Sequence, residues 1–264
     1  MYTPFLRVWL SNPTPKTKID LCLPGGKVVH VNDKIHVVDA NGKVVHVANN
    51  NGAKARGIDA KSGWVAYAGW TNTGGSPISS FTTTWSVPAT PATDNGQTVF
   101  LFNSIEPASF NAILQPVLQY GPSAAGGASY WTVASWYVAG SQAYYSPLVS
   151  VSVGDVLDGV ITLTGTNGGY SYASSFSNVG GTTLTVNGVD ELVWATETLE
   201  SYHITSSSDY PTGSTTFYNI NLGTADGNTP SVTWSPVSDS GDGLYTTVNI
   251  DGATNAQISI AYPS

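Results

Sequence analysis

The sequence predicts an all-β protein, folded as two packed antiparallel sheets behind a small β-hairpin segment. Three observations predict it. From Trp64 onward, about a dozen runs rich in Thr, Val and aromatic residues end at Gly, Pro, Asn or Asp, the punctuation of short strands and tight turns. No long stretch has the apolar spacing of an amphipathic helix. Charged residues make up only 10 % of the chain, so solubility falls to hydroxyls, amides and a few carboxylates.

The elements follow in chain order. "GKVVHV" occurs at 26–31 and again at 42–47. Between the two copies, alternating β-branched runs flank Asp39, Ala40, Asn41 and Gly42, which reads as a hairpin with an Asn-Gly turn. "ANNNGAKARGIDAKSG" is then a polar, Gly-rich, basic linker. Residues 1–61 therefore read as a prosegment-like hairpin and linker, or as an extra hairpin packed on the sheet. Residues 62–264 read as one sandwich domain. Its predicted strands include GWVAYAGW, SSFTTTWSVP, QTVFLFNSI, AILQPVLQY, SYWTVASWYV, ELVWATETLESYHI, STTFYNINL and AQISIAY. Their many Tyr and Trp side chains suggest an aromatic-lined concave face suited to peptide or sugar.

Charge divides the same way. Residues 1–61 hold all nine Lys and Arg against four Asp, a net of +5. Residues 62–264 hold thirteen acids and no Lys or Arg. A body without bases is a poor partner for nucleic acid, whose phosphates call for Lys and Arg. It also stays near neutral when its carboxylates protonate, which avoids repulsion in acid. Drift in a low-charge secreted protein is the other account. The single Cys22 allows no internal disulfide, and no run of 18 apolar residues exists to cross a membrane. "MYTPFLRVWLSNP" is too short and interrupted for a signal peptide.

Several chemistries lack their residues. There is no His-Glu-x-x-His, no Cys cluster, no Gly-x-Ser-x-Gly and no phosphate loop, so neither metal nor cofactor is expected. The body has one histidine, His203, at a strand end, where a structural role is expected. Carboxylates and amides on strands remain. A carboxylate can act as general base on water, and a side-chain amide can donate to a developing oxyanion. Candidates are Glu106, Glu191, Glu197 and Glu200, with Gln115 or Gln119.

In order along the chain, "SGWVAYAGW", "FTTTWSVP", "FNSIEP", "AILQPVLQYG", "SWYVAG", "VSVGDVL" and "ATETLE" resemble segments of the glutamic peptidases called eqolisins. This is a mostly fungal family of acid endopeptidases with a concanavalin-like, jelly-roll type β-sandwich. The matches span about residues 62–204. The resemblance implies a secreted, monomeric acid endopeptidase made as a zymogen, with a polypeptide substrate. It puts the catalytic Gln at Gln115 and a supporting carboxylate at Glu106. Trp64, Phe102, Trp136 and Tyr137 would line the cleft, and Val138 stands where the family has a Glu. The catalytic Glu stays open between positions. An ungapped match puts Thr196 there and Glu200 on the family's second Glu. A one-residue shift brings in Glu197 but turns its side chain to the other face unless a bulge restores it. Glu200 pointing into the cleft is the third possibility. With Thr196 in the slot, the chain would be a non-catalytic relative binding glycan or protein on its aromatic face. A glycosidase using Glu197 and Glu200 is disfavoured, because residues three apart point to opposite faces of a regular strand.

Overall fold

The computed structural model describes residues 18–50 and 63–264. Among these residues there are nineteen strands and no α-helix. They form two stacked sheets, as expected from the strand runs. In chain order the strands are β1 (Lys18–Leu21), β2 (Lys27–Val31), β3 (Lys34–Val38), β4 (Val44–Asn49), β5 (Gly63–Thr71), β6 (Ile78–Ser86), β7 (Thr98–Pro107), β8 (Ala112–Tyr120), β9 (Trp131–Ala139) and β10 (Gln142–Tyr145). They continue with β11 (Val149–Ser150), β12 (Val156–Gly165), β13 (Tyr170–Phe176), β14 (Leu184–Val189), β15 (Leu192–Tyr202), β16 (Ser214–Thr224), β17 (Ser235–Val237), β18 (Tyr245–Ile250) and β19 (Ala256–Ala261).

The first sheet runs β1-β10-β9-β8-β7-β15-β5-β17, with β11 also on β9. The second runs β18-β19-β16-β6-β12-β13-β14-β2-β3-β4. Every pairing within residues 63–264 is antiparallel. The two parallel contacts, β1 on β10 and β2 on β14, are where the N-terminal strands attach. The sheets are therefore mixed rather than purely antiparallel.

The expected hairpin is present as the second half of a three-stranded meander, β2-β3-β4. Its turn forms where Asn41 and Gly42 placed it. Gly42 takes φ +80°, and the Asp39 carboxylate accepts from the backbone N–H of Asn41 and Lys43, each at 2.9 Å. The first copy of the repeat carries β2 and the second carries β4, so the two copies flank β3.

One large apolar cluster fills the space between the sheets. Phe81, Trp85, Leu101, Leu118, Tyr172, Phe217 and Ile258 belong to it. So do Cys22, Val28, Ile35 and Val37 from the N-terminal strands. Residue 61, where the charge changes, is thus not a boundary in the packing of residues 18–50. Fully burying such side chains contributes about 1.5–3 kcal/mol each. A second, smaller cluster lies on the outer face of the first sheet, around Phe100, Phe102, Ile113, Val117 and Trp136.

If the N-terminal strands share the core, weakening them must weaken the whole molecule. Ile35→Ala is expected to lower stability by about 2–5 kcal/mol. Tryptophan fluorescence and far-UV circular dichroism should still report one coincident unfolding transition. Two separate transitions would contradict a shared core.

Candidate active site

Strands β7, β8 and β15 are buried along nearly their whole length, so each has two covered faces. Side chains still alternate between them. On β7, Val99, Leu101 and Ile105 enter the inter-sheet core, while Phe100 and Phe102 join the outer cluster. Glu106 continues the outer series. On β8, Leu114 and Leu118 point inward and Ile113 and Val117 outward, which puts Gln115 outward. On β15, Ala195 and Leu199 point inward. Glu197 therefore faces the core, and Thr196 and Glu200 face outward with Tyr202.

Register lines these residues up across the sheet. Thr196 pairs with Gly69 on one side and Ser104 on the other. The pairs Phe102 with Val117 and Ile105 with Leu114 place Ser104 beside Gln115. Gln115 in turn pairs with Trp136, and Trp136 lies against Tyr145 at a centroid distance of 5.1 Å. One row of the outer face thus reads Gly69, Thr196, Ser104, Gln115, Trp136, Tyr145. Thr196 Oγ1 hydrogen-bonds Ser104 Oγ at 2.7 Å and Thr198 Oγ1 at 2.9 Å, a short chain of hydroxyls. Trp194 closes one end of the face, edge-on to Phe110 at 5.2 Å and to Tyr67 at 5.9 Å. Its indole lies where a β-carbon on Gly69 would sit, 2.9 Å from Nε1, so that position takes no side chain.

Glu106 is in the adjacent row, beside Trp194. Standard strand spacing and rise put its Cα about 8 Å from that of Gln115. Both side chains are closed to solvent, at 0 % and 1 % exposure. Neither carboxyl oxygen of Glu106 has a hydrogen-bond partner, and nor does Oε1 of Gln115. Burial, and then the charge of Glu200, holds the Glu106 carboxyl well above the usual range. Glu200 lies further off, about 16 Å from Gln115 between Cα atoms by the same spacing. It accepts a hydrogen bond from the Tyr202 hydroxyl.

Glu197 requires a correction. It does not stand beside Gln115, because the strand keeps the register that turns it to the other face. The bulge that could have restored it is absent at that point. Irregularities fall at Val193 on β15 and at Val65 on β5 instead. Glu197 is fully buried between the sheets, where Oε1 accepts from Thr83 Oγ1 at 2.5 Å and Oε2 has no partner. Its cross-strand neighbour Asn103 has both amide atoms unpartnered. Burial raises the Glu197 pKa well above 4.5, and the Thr83 hydrogen bond only partly offsets this. Tyr137 also departs from expectation. It follows Trp136 directly, so the two cannot share a face, and it points inward to meet His30 at 3.0 Å. Phe102 and Trp136 are on the Gln115 face as expected. The backbone of Trp64 lies in β5 opposite Glu200, and its side chain is outside the described residues.

With this geometry in hand, comparison with solved structures gives a fold. A scytalido-glutamic peptidase with a peptide-based transition-state analogue is similar at 16 % identity, with a TM-score of 0.50 over 76 % of this chain and 98 % of that one. The chain has a glutamic-peptidase-like fold. SCP-B, a member of the eqolisin family in complex with the tripeptide Ala-Ile-His, is also 16 % identical, with the same coverage and a TM-score of 0.45. Neither a protein-family model nor a curated protein matches the chain. On this glutamic-peptidase-like fold, sequence reasoning missed Ser104, Thr198 and Trp194. Counting outward in twos from Glu106 and Thr196 would have found them.

The buried carboxyls fix a sign for pH dependence. Unfolded, Glu106 and Glu197 lose their protons near 4.5, and folded they keep them to higher pH. Stability therefore falls as pH rises above that value, until the folded pKa values are passed. Urea melts from about pH 4 to 7 should show this decline. Glu197→Gln should flatten it by removing one of the two groups. An unchanged slope would place Glu197 in solvent.

Proposed function

We propose that the protein is a secreted, monomeric endopeptidase of the glutamic type that works in mildly acidic medium. Its dyad is Glu106 and Gln115 on the outer face of the first sheet. The observation that carries this reading is the pair of stripped polar groups there. A buried carboxyl and a buried amide oxygen, one row apart and both unpartnered, cost several kcal/mol unless a water or a substrate completes them. In this reading Glu106 takes a proton from a water held between the two side chains. The hydroxide adds to the carbonyl carbon of a polypeptide lying across the face, and Gln115 Nε2 donates to the developing oxyanion. Glu106 then passes the proton to the leaving nitrogen as the C–N bond breaks. The aromatic cluster supplies the apolar bed for the substrate.

Glu106 acts as base only when ionised, and its pKa is raised. The rate should therefore climb with pH beyond the ordinary carboxylate range, while stability declines over the same range. A mildly acid optimum results.

The zymogen part of the proposal lies in residues 51–62, which carry Lys54, Arg56 and Lys61 and fall outside the described residues. A cut within this segment would be the activating step. Intact mass after incubation at mildly acid pH, above the ordinary carboxylate range, reads this out. A cut within 51–62 in wild type, absent in Gln115→Ala, supports self-activation.

One observation favours a second reading. The row that holds Gln115 carries Thr196 and Ser104 rather than a carboxylate, which suits a non-catalytic relative that binds polypeptide or glycan through its hydroxyl chain and aromatic rings. Cleavage of a denatured protein substrate separates the two. Under the peptidase reading, Glu106→Gln and Gln115→Ala each lower kcat by about 100-fold or more. Glu197→Gln leaves kcat near wild type. Peptide binding without any cleavage by the cut wild-type protein would establish the binder instead.

A further inference from the structure

The basic N-terminal part divides into two kinds of segment. Residues 18–50 carry Lys18, Lys27, Lys34 and Lys43 against Asp20, Asp33 and Asp39, a net of only +1. The remaining bases, Arg7, Lys16, Lys54, Arg56 and Lys61, stand against Asp59 alone in 1–17 and 51–62. The stretch that forms strands is thus nearly neutral. It is also tied to both sheets at once.

On the first sheet, β1 adds to β10 in parallel over four pairs, from Lys18 with Gln142 to Leu21 with Tyr145. The Cys22 N–H extends this by donating to the Tyr145 carbonyl at 2.8 Å. On the second sheet, β2 adds to β14 in parallel, with Val28 opposite Val186. The backbones come close enough there that a β-carbon on Gly188 would lie 2.8 Å from the His30 carbonyl oxygen. Side chains add two cross-links. His30 meets the Tyr137 hydroxyl, and His46 Nε2 on β4 lies 3.2 Å from Asp20 Oδ2 on β1. The second of these joins the last strand of one sheet to the last strand of the other. Val28 and Ile35 are fully buried in the common core. Without residues 18–50, β10 and β14 would become bare edges beside an open core, an arrangement that invites aggregation.

We infer that residues 18–50 form a docked strand module that stays bound to β10 and β14 when the chain is cut between residues 51 and 62. Cutting yields a two-piece protein rather than a shortened one. The module is a structural partner of the body. This holds whether or not the outer face hydrolyses anything.

The test uses the full chain. A recognition sequence for a site-specific protease is inserted between Gly57 and Ile58, and the cut protein is run on a sizing column at about pH 7 and pH 4. Both pieces should elute together at the size of the uncut chain, by intact mass, and separate only in denaturant. Trypsin is a second reagent, because residues 62–264 offer it no Lys or Arg. In the cut protein, Ile35→Ala should speed departure of the N-terminal piece by about 10-fold or more. The inference is overturned if that piece elutes alone while the body keeps the circular dichroism and melting temperature of the uncut chain. It is also overturned if Ile35→Ala leaves the rate of departure unchanged, since the attachment would then lie in the basic flanks.

Discussion

The alternation of side chains across a strand covered on both faces is the constraint on which the rest depends. On β15 a single step in sequence separates Thr196, on the face of Gln115, from Glu197, in the core with Thr83. A carboxylate at the first position would stand across Ser104 from Gln115, in the same row. At the second position it cannot reach that face without a bulge, and the bulges fall elsewhere on these strands. The candidate chemistry therefore moves to Glu106 on the neighbouring strand, whose parity is right.

Composition and burial describe one physical situation. The chain has four glutamates, and Glu106, Glu197 and Glu200 are buried. No Lys or Arg exists in residues 62–264 to compensate them. For Glu106 and Glu197, whose pKa values are raised, retaining the proton is how burial is accommodated. A body of this kind is favoured in acid because its interior carboxyls are neutral there.

Much of the fold was legible in the sequence. Turn residues punctuate the strands clearly, and Asn41 and Gly42 specify their turn through a positive φ that few residues accept. The order of the strand motifs pointed to the fold that the solved structures share. Parity at Thr196 and Glu197 was not legible, because a strand buried on both faces shows no polar alternation to read. The same cause misplaced Tyr137, which looked like a neighbour of Trp136 on the cleft but belongs to the opposite face. The attachment of the N-terminal strands was left open by the sequence for a different reason. Charge marks residues 1–61 as one unit, whereas packing depends on Cys22, Val28, Ile35 and Val37, which carry none. The pairing of β1 and β2 with distant strands is long-range information that local pattern does not hold.

The most direct measurement is carbon NMR of the protein labelled at the glutamate carboxyl carbon, titrated from about pH 3 to 8. Only four resonances arise, one for each glutamate. The account predicts that the Glu106 and Glu197 resonances keep the protonated shift beyond the ordinary carboxylate range, the first lost in Glu106→Gln and the second in Glu197→Gln. Four resonances all titrating near 4.5 in the folded protein would contradict it. Neither carboxyl would then be buried, and the assignment of faces on β7 and β15 would fail with them.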